Sequence, residues 1–472
     1  MSSSFMGIEL GRRALAANQI ALDTTGQNTS NVNTAGYSRQ VVNLETTDSS
    51  DITLANGAKG QIGTGVTVSS VTRIRDQFLD QRVRSSLSQQ SADSTLSGQL
   101  SQVEAAYNEP NGGGVGSLLT SFFNSFSTLS SDPANSGLRT GVRSSAQSLI
   151  SGVKNLYQAQ QDTLTNISQG VTDAVKQINS LATQIAGLNQ QIQQSVQTGG
   201  DPNDLMDKRD QMVQNLSQLA NIKVVPSVNG QTGRPTGSLS IYVGGHQLVY
   251  NDQSTPIPAP SPNAKPPFAL TEANGDPIEI QGGQLGGYIK AATLVQSYSD
   301  DLNALASAVI KAVNTQHSAG APLDGSTGNP FFTGTDASSI GLSQAIQNST
   351  DAIAAAAAPA PPATVAVGNG DNARALAQIA QQSLLGTNTL NQAYVSQVAR
   401  VGADSASAKT DVKNQDSIAA QLQSQQSSIS GVSLDEELTK LIQYQRSYQV
   451  ASRFITTIDD TLDRLINGLG KP

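Results

Sequence analysis

Residues 433–469 read SLDEELTKLIQYQRSYQVASRFITTIDDTLDRLINGL, and this stretch decides the fold of the chain. Its large apolar residues recur every seven positions, at Leu434, Leu441, Tyr448, Ile455, Leu462 and Leu469. A second series with the same spacing contains Tyr444, Ala451, Ile458 and Leu465. Such spacing is typical of a long helix with a coiled-coil seam. We therefore predict a single helix of roughly 35 residues, about 50 Å long at 1.5 Å per residue.

The start of this helix has its own signals in the sequence. Ser433 and Glu436 match a capping box, in which each side chain bonds the backbone of the other residue. Acidic residues fill positions 435–437, where the helix dipole favours negative charge. We interpret these carboxylates as a helix start rather than as an acid–base site.

The N-terminal end of the chain carries a weaker pattern of the same kind. Ile8, Leu15 and Leu22 are seven residues apart within a helix that we predict over residues 3–24. A short helix with so thin an apolar stripe is marginally stable alone in water. Neither terminal stripe has an obvious core near it in the sequence. We therefore expect the two terminal helices to pair with each other and with copies of themselves.

The interior of the chain alternates between helical and strand patterns. Two apolar heptad series over residues 160–197, followed by Asp201 as an expected helix cap, predict an antiparallel helix pair that ends near residue 221. Strand-like alternation on both sides of Gly244-Gly245 then predicts a β-hairpin. We interpret the other glycine pairs, Gly282-Gly283 and Gly286-Gly287, as turns.

These patterns predict a mainly α fold. The expected parts are terminal helices that form a coiled coil, a bundle of long helices, and a small inserted β domain. The predicted domain boundaries are 1–45 with 430–472 for the terminal coiled coil, 46–221 with 286–429 for the helical bundle, and 222–285 for the β insert.

Composition narrows the classes of function. The 472 residues include no cysteine, which excludes disulfides, thiolate metal sites and cysteine nucleophiles. The formal net charge is −8 and no long basic block is present, which argues against a nucleic-acid-binding surface. The most apolar run, residues 352–367, is broken by prolines and is too short to span a bilayer. Residues 1–19 do not match a cleavable signal, so an exported protein would need another route.

No catalytic or cofactor motif stands out. The two histidines, His246 and His317, lie far apart, and the sequence contains no His-Glu-x-x-His, P-loop or Gly-x-Ser-x-Gly motif. We therefore expect no enzyme activity, no metal and no cofactor.

A polar stretch, NTSNVNTAGYSRQ at residues 28–40, follows the first predicted helix. Asn and Gly tolerate left-handed backbone, so the stretch alone predicts a helix stop and a turn. It also resembles the signature turn of the bacterial flagellar rod, hook and hook-associated proteins. Two further segments are similar to motifs of that family: NDLMDKRDQ at 203–211, and GVSLDEE at 431–437 with LIQYQRSYQ at 441–449.

The resemblance implies a structural function in the bacterial flagellum, at the first junction between hook and filament. In this family the terminal helices form a coiled coil that lines the channel of a helical tube. The implied partners are copies of the chain, the hook protein, hook-associated protein 3, and a cytoplasmic export chaperone on the C-terminal helix. The implied route is the flagellar type III apparatus, which would place the protein outside the cell. The candidate assembly residues are Ile8, Leu15, Leu22, Asn31, Asn33, Gly36, Tyr37, Leu434, Leu441, Tyr448, Ile455 and Leu462.

Other functions stay open at this point. The chain could be hook-associated protein 3 or another rod or hook protein, although the segment Arg209-Asp210-Gln211 favours the first junction protein. A hydrolase carried by the β insert is a second alternative, against which the lack of a paired His/Glu ligand set counts. A third is an adhesin that uses the proline-rich β domain.

Overall fold

The computed structural model describes residues 2–53, 58–107, 114–228, 235–260, 268–272, 274–358 and 366–469. The chain divides into two compact units. The first unit comprises Met1–Ser88, Ile178–Pro256 and Asp416–Pro472, and the second comprises Gln89–Gln177 and Ile257–Gln415.

Helices dominate the described residues. They are α1 (Ser2–Ser30), α2 (Gln77–Tyr107), α3 (Val115–Leu129), α4 (Ser136–Gln197), α5 (Asn203–Leu219), α6 (Gly283–Ser318), α7 (Gln344–Asn348), α8 (Asp371–Gln378), α9 (Leu390–Ser430) and α10 (Leu434–Leu469). The predicted C-terminal helix is confirmed as the 36-residue α10. The predicted seam is also confirmed, because Val171, Ile178, Ile185 and Ile192 of α4 are fully buried.

The strands are short. They are β1 (Gln40–Thr46), β2 (Ser50–Thr53), β3 (Lys59–Ile62), β4 (Val66–Arg73), β5 (Ile222–Val228), β6 (Pro235–Val243), β7 (His246–Tyr250), β8 (Gln253–Ser254), β9 (Leu270–Thr271), β10 (Pro277–Ile278), β11 (Gly320–Ala321), β12 (Phe332–Thr333), β13 (Gly341–Leu342), β14 (Ala356–Ala357), β15 (Ser383–Leu385) and β16 (Asn388–Thr389).

The largest described sheet contains four antiparallel strands in the order β5-β6-β7-β8. The predicted hairpin is confirmed: Gly244 and Gly245 join β6 to β7 with φ values of 55° and 91°. Two positive φ values in succession suit a tight hairpin turn, which is why two glycines stand there. The fold is therefore mainly α with a small strand-containing insert, as expected, while the three predicted domain boundaries stay a prediction.

The two terminal helices pair with each other, as the sequence predicted. They run in opposite directions, because Gly7 and Gly11 of α1 lie against Ile458 and Ile455 of α10. An added Cβ on Gly7 would come within 2.6 Å of Ile458 Cδ1, and one on Gly11 would overlap Ile455 Cγ1. Glycine at these positions therefore lets the helix backbones approach closely enough for the isoleucine side chains to pack.

Helix α1 extends further than predicted. It continues to Ser30 rather than ending at residue 24. The hydroxyl groups of Thr24, Thr25 and Thr29 donate to carbonyl oxygens one turn earlier, each at 2.8 Å. Their polar groups are thus satisfied within the helix, and the turn begins only after this polar last part.

Two other expectations were wrong. Asp201 does not cap α5; its carboxylate accepts a hydrogen bond from the backbone N–H of Val71 at 2.9 Å instead. Gly286 and Gly287 lie inside α6 rather than in a turn. A Cβ on Gly287 would overlap the carbonyl oxygen of Ala92 in α2, so this glycine permits close packing of the two helices.

Both histidines are buried and bond the backbone. In the second unit, His317 Nδ1 donates to Asn329 O and its Nε2 accepts from Ala354 N, both at 2.9 Å. Burial lowers the pKa of His317, so the ring is neutral at pH 7. In the first unit, His246 Nε2 lies 3.0 Å from Thr255 O.

Neither a metal-binding cluster nor a membrane-spanning helix is present among the described residues. They contain no group of three or more His, Cys, Asp or Glu side chains that could hold a metal ion. Among the described helices, none has the length and apolar character needed to cross a membrane.

Candidate assembly interface

The three motif segments are distant in sequence but meet in the first unit, at two polar centres. The first centre is the side chain of Asn28. Its Nδ2 donates to Glu437 Oε2 and to Gln40 O, both at 2.9 Å. Its Oδ1 accepts from the Tyr37 hydroxyl at 2.8 Å and from Gln40 N at 2.9 Å. An amide side chain has two donor hydrogens and two acceptor lone pairs. All four are used, and Asn28 therefore joins the end of α1, the turn after it and the start of α10.

Asp207 forms the second centre of this arrangement. One carboxylate oxygen accepts from Ser38 Oγ and from Arg73, both at 2.7 Å, and the other accepts from Ser38 N at 3.0 Å. Arg73 also donates to Asp210 at 2.9 Å. Burial would lower the pKa of Arg73, but the two carboxylates outweigh burial and raise it. The turn is thereby held against α5 by a paired and hydrogen-bonded buried charge.

The start of α10 is held by the same turn. Glu437 is fully buried, and besides Asn28 it accepts from Lys440 at 2.9 Å. The backbone N–H of Arg39 donates to Ser430 O at 2.9 Å, and its guanidinium pairs with Glu436 at 2.5 Å. The predicted capping box therefore forms only in part: Ser433 Oγ accepts from Glu436 N at 3.5 Å, while the Glu436 carboxylate binds Arg39.

We call this set of side chains the polar junction; its members are Asn28, Tyr37, Ser38, Arg39, Gln40, Arg73, Asp207, Asp210, Glu436 and Glu437. Tyr37 is half-buried in it. Burial raises the pKa of Tyr37, and nearby Asp204, Asp207 and Glu437 raise it further. The phenol stays protonated and keeps donating to Asn28.

The candidate residues of the turn occupy two kinds of position. Tyr37 belongs to the polar junction, and Asn31 shapes the turn by donating to Gln27 O at 3.0 Å. Asn33 and Gly36 are exposed. Gly36 has a φ of 81°, and an added Cβ would lie 2.6 Å from Gln211 Oε1. The turn therefore requires glycine there for both backbone conformation and space.

The apolar candidates lie along the helix pair. The half-buried ones are Ile8, Leu15, Leu22, Leu441, Tyr448, Ile455 and Leu462. Leu434 is exposed, because the start of α10 faces solvent on that side. Among these candidates, Ile455 packs against Gly11 of α1 within the same chain.

Sequence reasoning missed the buried polar residues at the centre of the site. Asn28, Ser38, Asp207 and Glu437 are each at most 6 % exposed, yet none was chosen as a site residue. All four lie inside the three segments quoted for their resemblance. Polar residues are concentrated in these three segments, and no catalytic motif accounts for them. This pattern could have indicated that the segments form hydrogen bonds with one another.

The opposite face of α10 has no cover among the described residues. Leu438, Ile442 and Val450 are exposed by 50 %, 52 % and 67 %. Their spacing of four and eight residues keeps them within about 120° of one another on the helix surface. A row of exposed large apolar side chains is typical of an interaction surface.

Comparisons with known proteins give similar chains and a similar fold. Three family models match: the flagellar hook-associated protein FlgK helical domain over residues 100–332, the flagellar basal body rod FlgEFG protein C-terminal segment over 423–468, and the flagella basal body rod protein over 8–37. The last two ranges contain most of α10 and α1.

Two curated relatives match over nearly their whole length. Flagellar hook-associated protein 1 of Bacillus subtilis (strain 168) is 32 % identical over 514 residues, covering 100 % of this chain and 99 % of that protein. The Escherichia coli (strain K12) protein of the same name is 29 % identical, covering 96 % and 98 %. The solved structure of the flagellar hook junction protein FlgK from Burkholderia pseudomallei has a similar fold, with a TM-score of 0.64 and 19 % identity. That match covers 74 % of this chain and 100 % of the solved one.

Proposed function

The chain belongs to the flagellar hook-associated protein 1 family, and we propose that its paired terminal helices assemble it into the junction between hook and filament. Members of this family are structural parts of the flagellum.

One observation carries the proposal: α10 packs against α1 on one face, while no residue that the structure describes covers its other face. The polar junction fixes its start to the turn and to α5, and Gly7 and Gly11 bring α1 against its inner face. The face turned away from α1 exposes Leu438, Ile442 and Val450. A held helix with an uncovered apolar face supports assembly, because the residues that bind partners are already ordered.

The proposed partners are copies of the chain in a helical tube, the hook protein on one side and hook-associated protein 3 on the other. Before export, a cytoplasmic chaperone would cover the apolar face of α10. Export would follow the flagellar type III route, and the working location would be extracellular. The candidate residues contribute to assembly either by holding α1 against α10 or by shaping the turn.

A paired substitution tests the proposal. Leu441→Asp with Ile455→Asp would put two carboxylates into the half-buried seam between α1 and α10. We expect the second unit to stay folded, because neither residue belongs to it, while incorporation of the protein at the ends of purified hooks falls to background. Measurements are co-sedimentation with hooks and circular dichroism. A matched control, Gln177→Asp with Gln184→Asp, places the same charges seven residues apart on exposed positions of α4 and should assemble normally. Normal junctions from the seam variant would refute the proposal.

A further inference from the structure

Two segments of the second unit contain the same reactive tripeptide. The sequence has six Asn-Gly pairs, and two of them continue as Asn-Gly-Asp, at residues 274–276 and 369–371. An asparagine followed by glycine can react with its own backbone: the glycine nitrogen attacks the side-chain amide carbon, and no Cβ on the glycine hinders the approach. Because the two tripeptides are identical, a difference between their rates reports on the structure around them.

The side chain of Asn369 is held in a position that favours this reaction. Its Oδ1 accepts from the backbone N–H of Ala357 at 3.0 Å and from that of Asp371 at 3.1 Å. The bond to the N–H of Asp371 closes a ring that contains the nitrogen of Gly370, so the amide is folded over the peptide bond that must attack it. Nδ2 donates to the Asp371 carboxylate at 2.9 Å, which orients the amide so that Oδ1 faces both N–H groups.

Two backbone donors on one carbonyl oxygen form an oxyanion hole. When the nitrogen of Gly370 attacks Cγ, negative charge develops on Oδ1, and both N–H groups already point at that atom. The attacking nitrogen is available, because no residue that the structure describes accepts a hydrogen bond from it. Packing also requires glycine here, since an added Cβ on Gly370 would overlap the carbonyl oxygen of Ser130.

Asn274 has the same local bonds but lacks both of these features. Its Oδ1 accepts from Asp276 N at 3.1 Å, and its Nδ2 donates to the Asp276 carboxylate at 2.8 Å. Among the described residues, no second donor reaches its Oδ1. The N–H of Gly275 donates to Glu272 O at 2.9 Å, so the attacking nitrogen is engaged. The fold therefore favours the reaction at one tripeptide and restrains it at the other.

We propose that Asn369 is a self-modification site that deamidates because the chain is folded. The nitrogen of Gly370 bonds to Cγ of Asn369, and its proton passes through water to Nδ2, which leaves as ammonia. One water molecule then opens the resulting succinimide ring at either of its two carbonyl carbons. The product is an aspartate at position 369 or an isoaspartyl linkage to Gly370. The converted fraction therefore increases with the time that a chain has been folded.

Conversion changes the contact between β14 and the start of α8. The amide of Asn369 joins Ala357, in β14, to Asp371, the first residue of α8. An aspartate in its place has no Nδ2 and sets a second carboxylate beside that of Asp371, and like charges repel. The isoaspartyl product also adds one carbon atom to the backbone. We therefore expect α8 to open more readily after conversion.

A comparison of folded and unfolded chain tests the proposal. The full chain is kept at neutral pH with and without guanidinium chloride, and tryptic peptides are followed over time by mass spectrometry, which detects conversion of amide to acid. In guanidinium chloride the two sites should convert at rates within about twofold of each other, since neither retains its native contacts. In the folded chain we expect Asn369 to convert at least about tenfold faster than Asn274, and faster than it does itself when unfolded.

The variant Ala357→Pro removes one donor from Oδ1 of Asn369 and leaves the tripeptide intact. We expect the folded rate at Asn369 to fall by about tenfold, with both rates in guanidinium chloride unchanged. Circular dichroism checks that the variant folds, and the unmodified chain tests the proposal by itself. If Asn369 in the folded chain converts more slowly than in guanidinium chloride, or no faster than Asn274, the proposal is wrong.

Discussion

The substitution Asn28→Ala tests whether the polar junction holds the terminal helices together. It removes four hydrogen bonds at a residue that is 1 % exposed. Tyr37 is half-buried and can bond water again. The backbone N–H and C=O of Gln40 and one oxygen of Glu437 would stay buried without this partner. The first unit is therefore destabilised by the loss of hydrogen bonds to buried polar groups, not by the loss of apolar packing.

The expected magnitude follows from those three groups. Each buried polar group that loses its partner costs about 1–3 kcal/mol. Water entering the space left by the amide would recover part of that sum, since the site is polar. We expect the opening free energy of the helix pair to fall by about 3–5 kcal/mol, which is large for a single substitution.

The assay must report on the α1–α10 helix pair separately from the second unit, because a chain with two compact units need not unfold in one step. Hydrogen exchange followed by mass spectrometry gives the opening free energy of α10 amides separately from those of the second unit. The matched control is Asn33→Ala, which changes an exposed asparagine of the same turn and should alter exchange by less than about 0.5 kcal/mol. Equal effects of the two substitutions, or loss of protection in the second unit alone, would refute the reasoning.

Two further predictions concern single residues. Gly36→Ala should destabilise the turn by about 1–2 kcal/mol, because alanine is strained at a φ of 81° and its Cβ meets Gln211. Adding Gln211→Ala should recover only the free energy lost to the steric contact, not that lost to backbone strain. Hydrogen exchange of residues 31–40 measures the effect of each variant. His317 has a pKa below its ordinary 6.5 in the folded chain, so its contribution to stability is complete above pH 6.5 and declines as pH falls below it. Exchange in the second unit between pH 7.5 and 5 should show this decline, and His317→Gln should flatten it.

The periodic parts of the fold could be predicted from sequence alone. The heptads of α10 and α4 specify long helices, because a sustained apolar stripe outweighs local propensity. Pairing of the terminal helices followed from a physical need, since neither stripe had a core of its own. The end of α1 was missed because its apolar stripe stops at Leu22 and the residues after it are polar, whereas in the structure the hydroxyls of Thr24, Thr25 and Thr29 bond within the helix.

The centre of the site could not be predicted in the same way. Asn28, Asp207 and Glu437 are polar residues whose spacing in sequence says nothing about which of them meet. Their partners are fixed by the positions of α1, α5 and α10 in space. Asp201 is an example. Its position before α5 favoured a helix cap, but its carboxylate accepts a hydrogen bond from the backbone N–H of Val71, which lies in a strand distant in sequence. Local sequence patterns predict helices and strands. Hydrogen bonds between residues distant in sequence can be identified only once the fold is known.

The hydrogen bond between Asn28 and Glu437 spans 409 positions of the chain. Ribosomes add about 5–20 residues per second, so α1 exists for about 20–80 s before its partner helix is made. Throughout that time its thin apolar stripe and the buried members of its turn face water or other chains. The first unit can therefore finish folding only after the ribosome has synthesised the last segment of the chain.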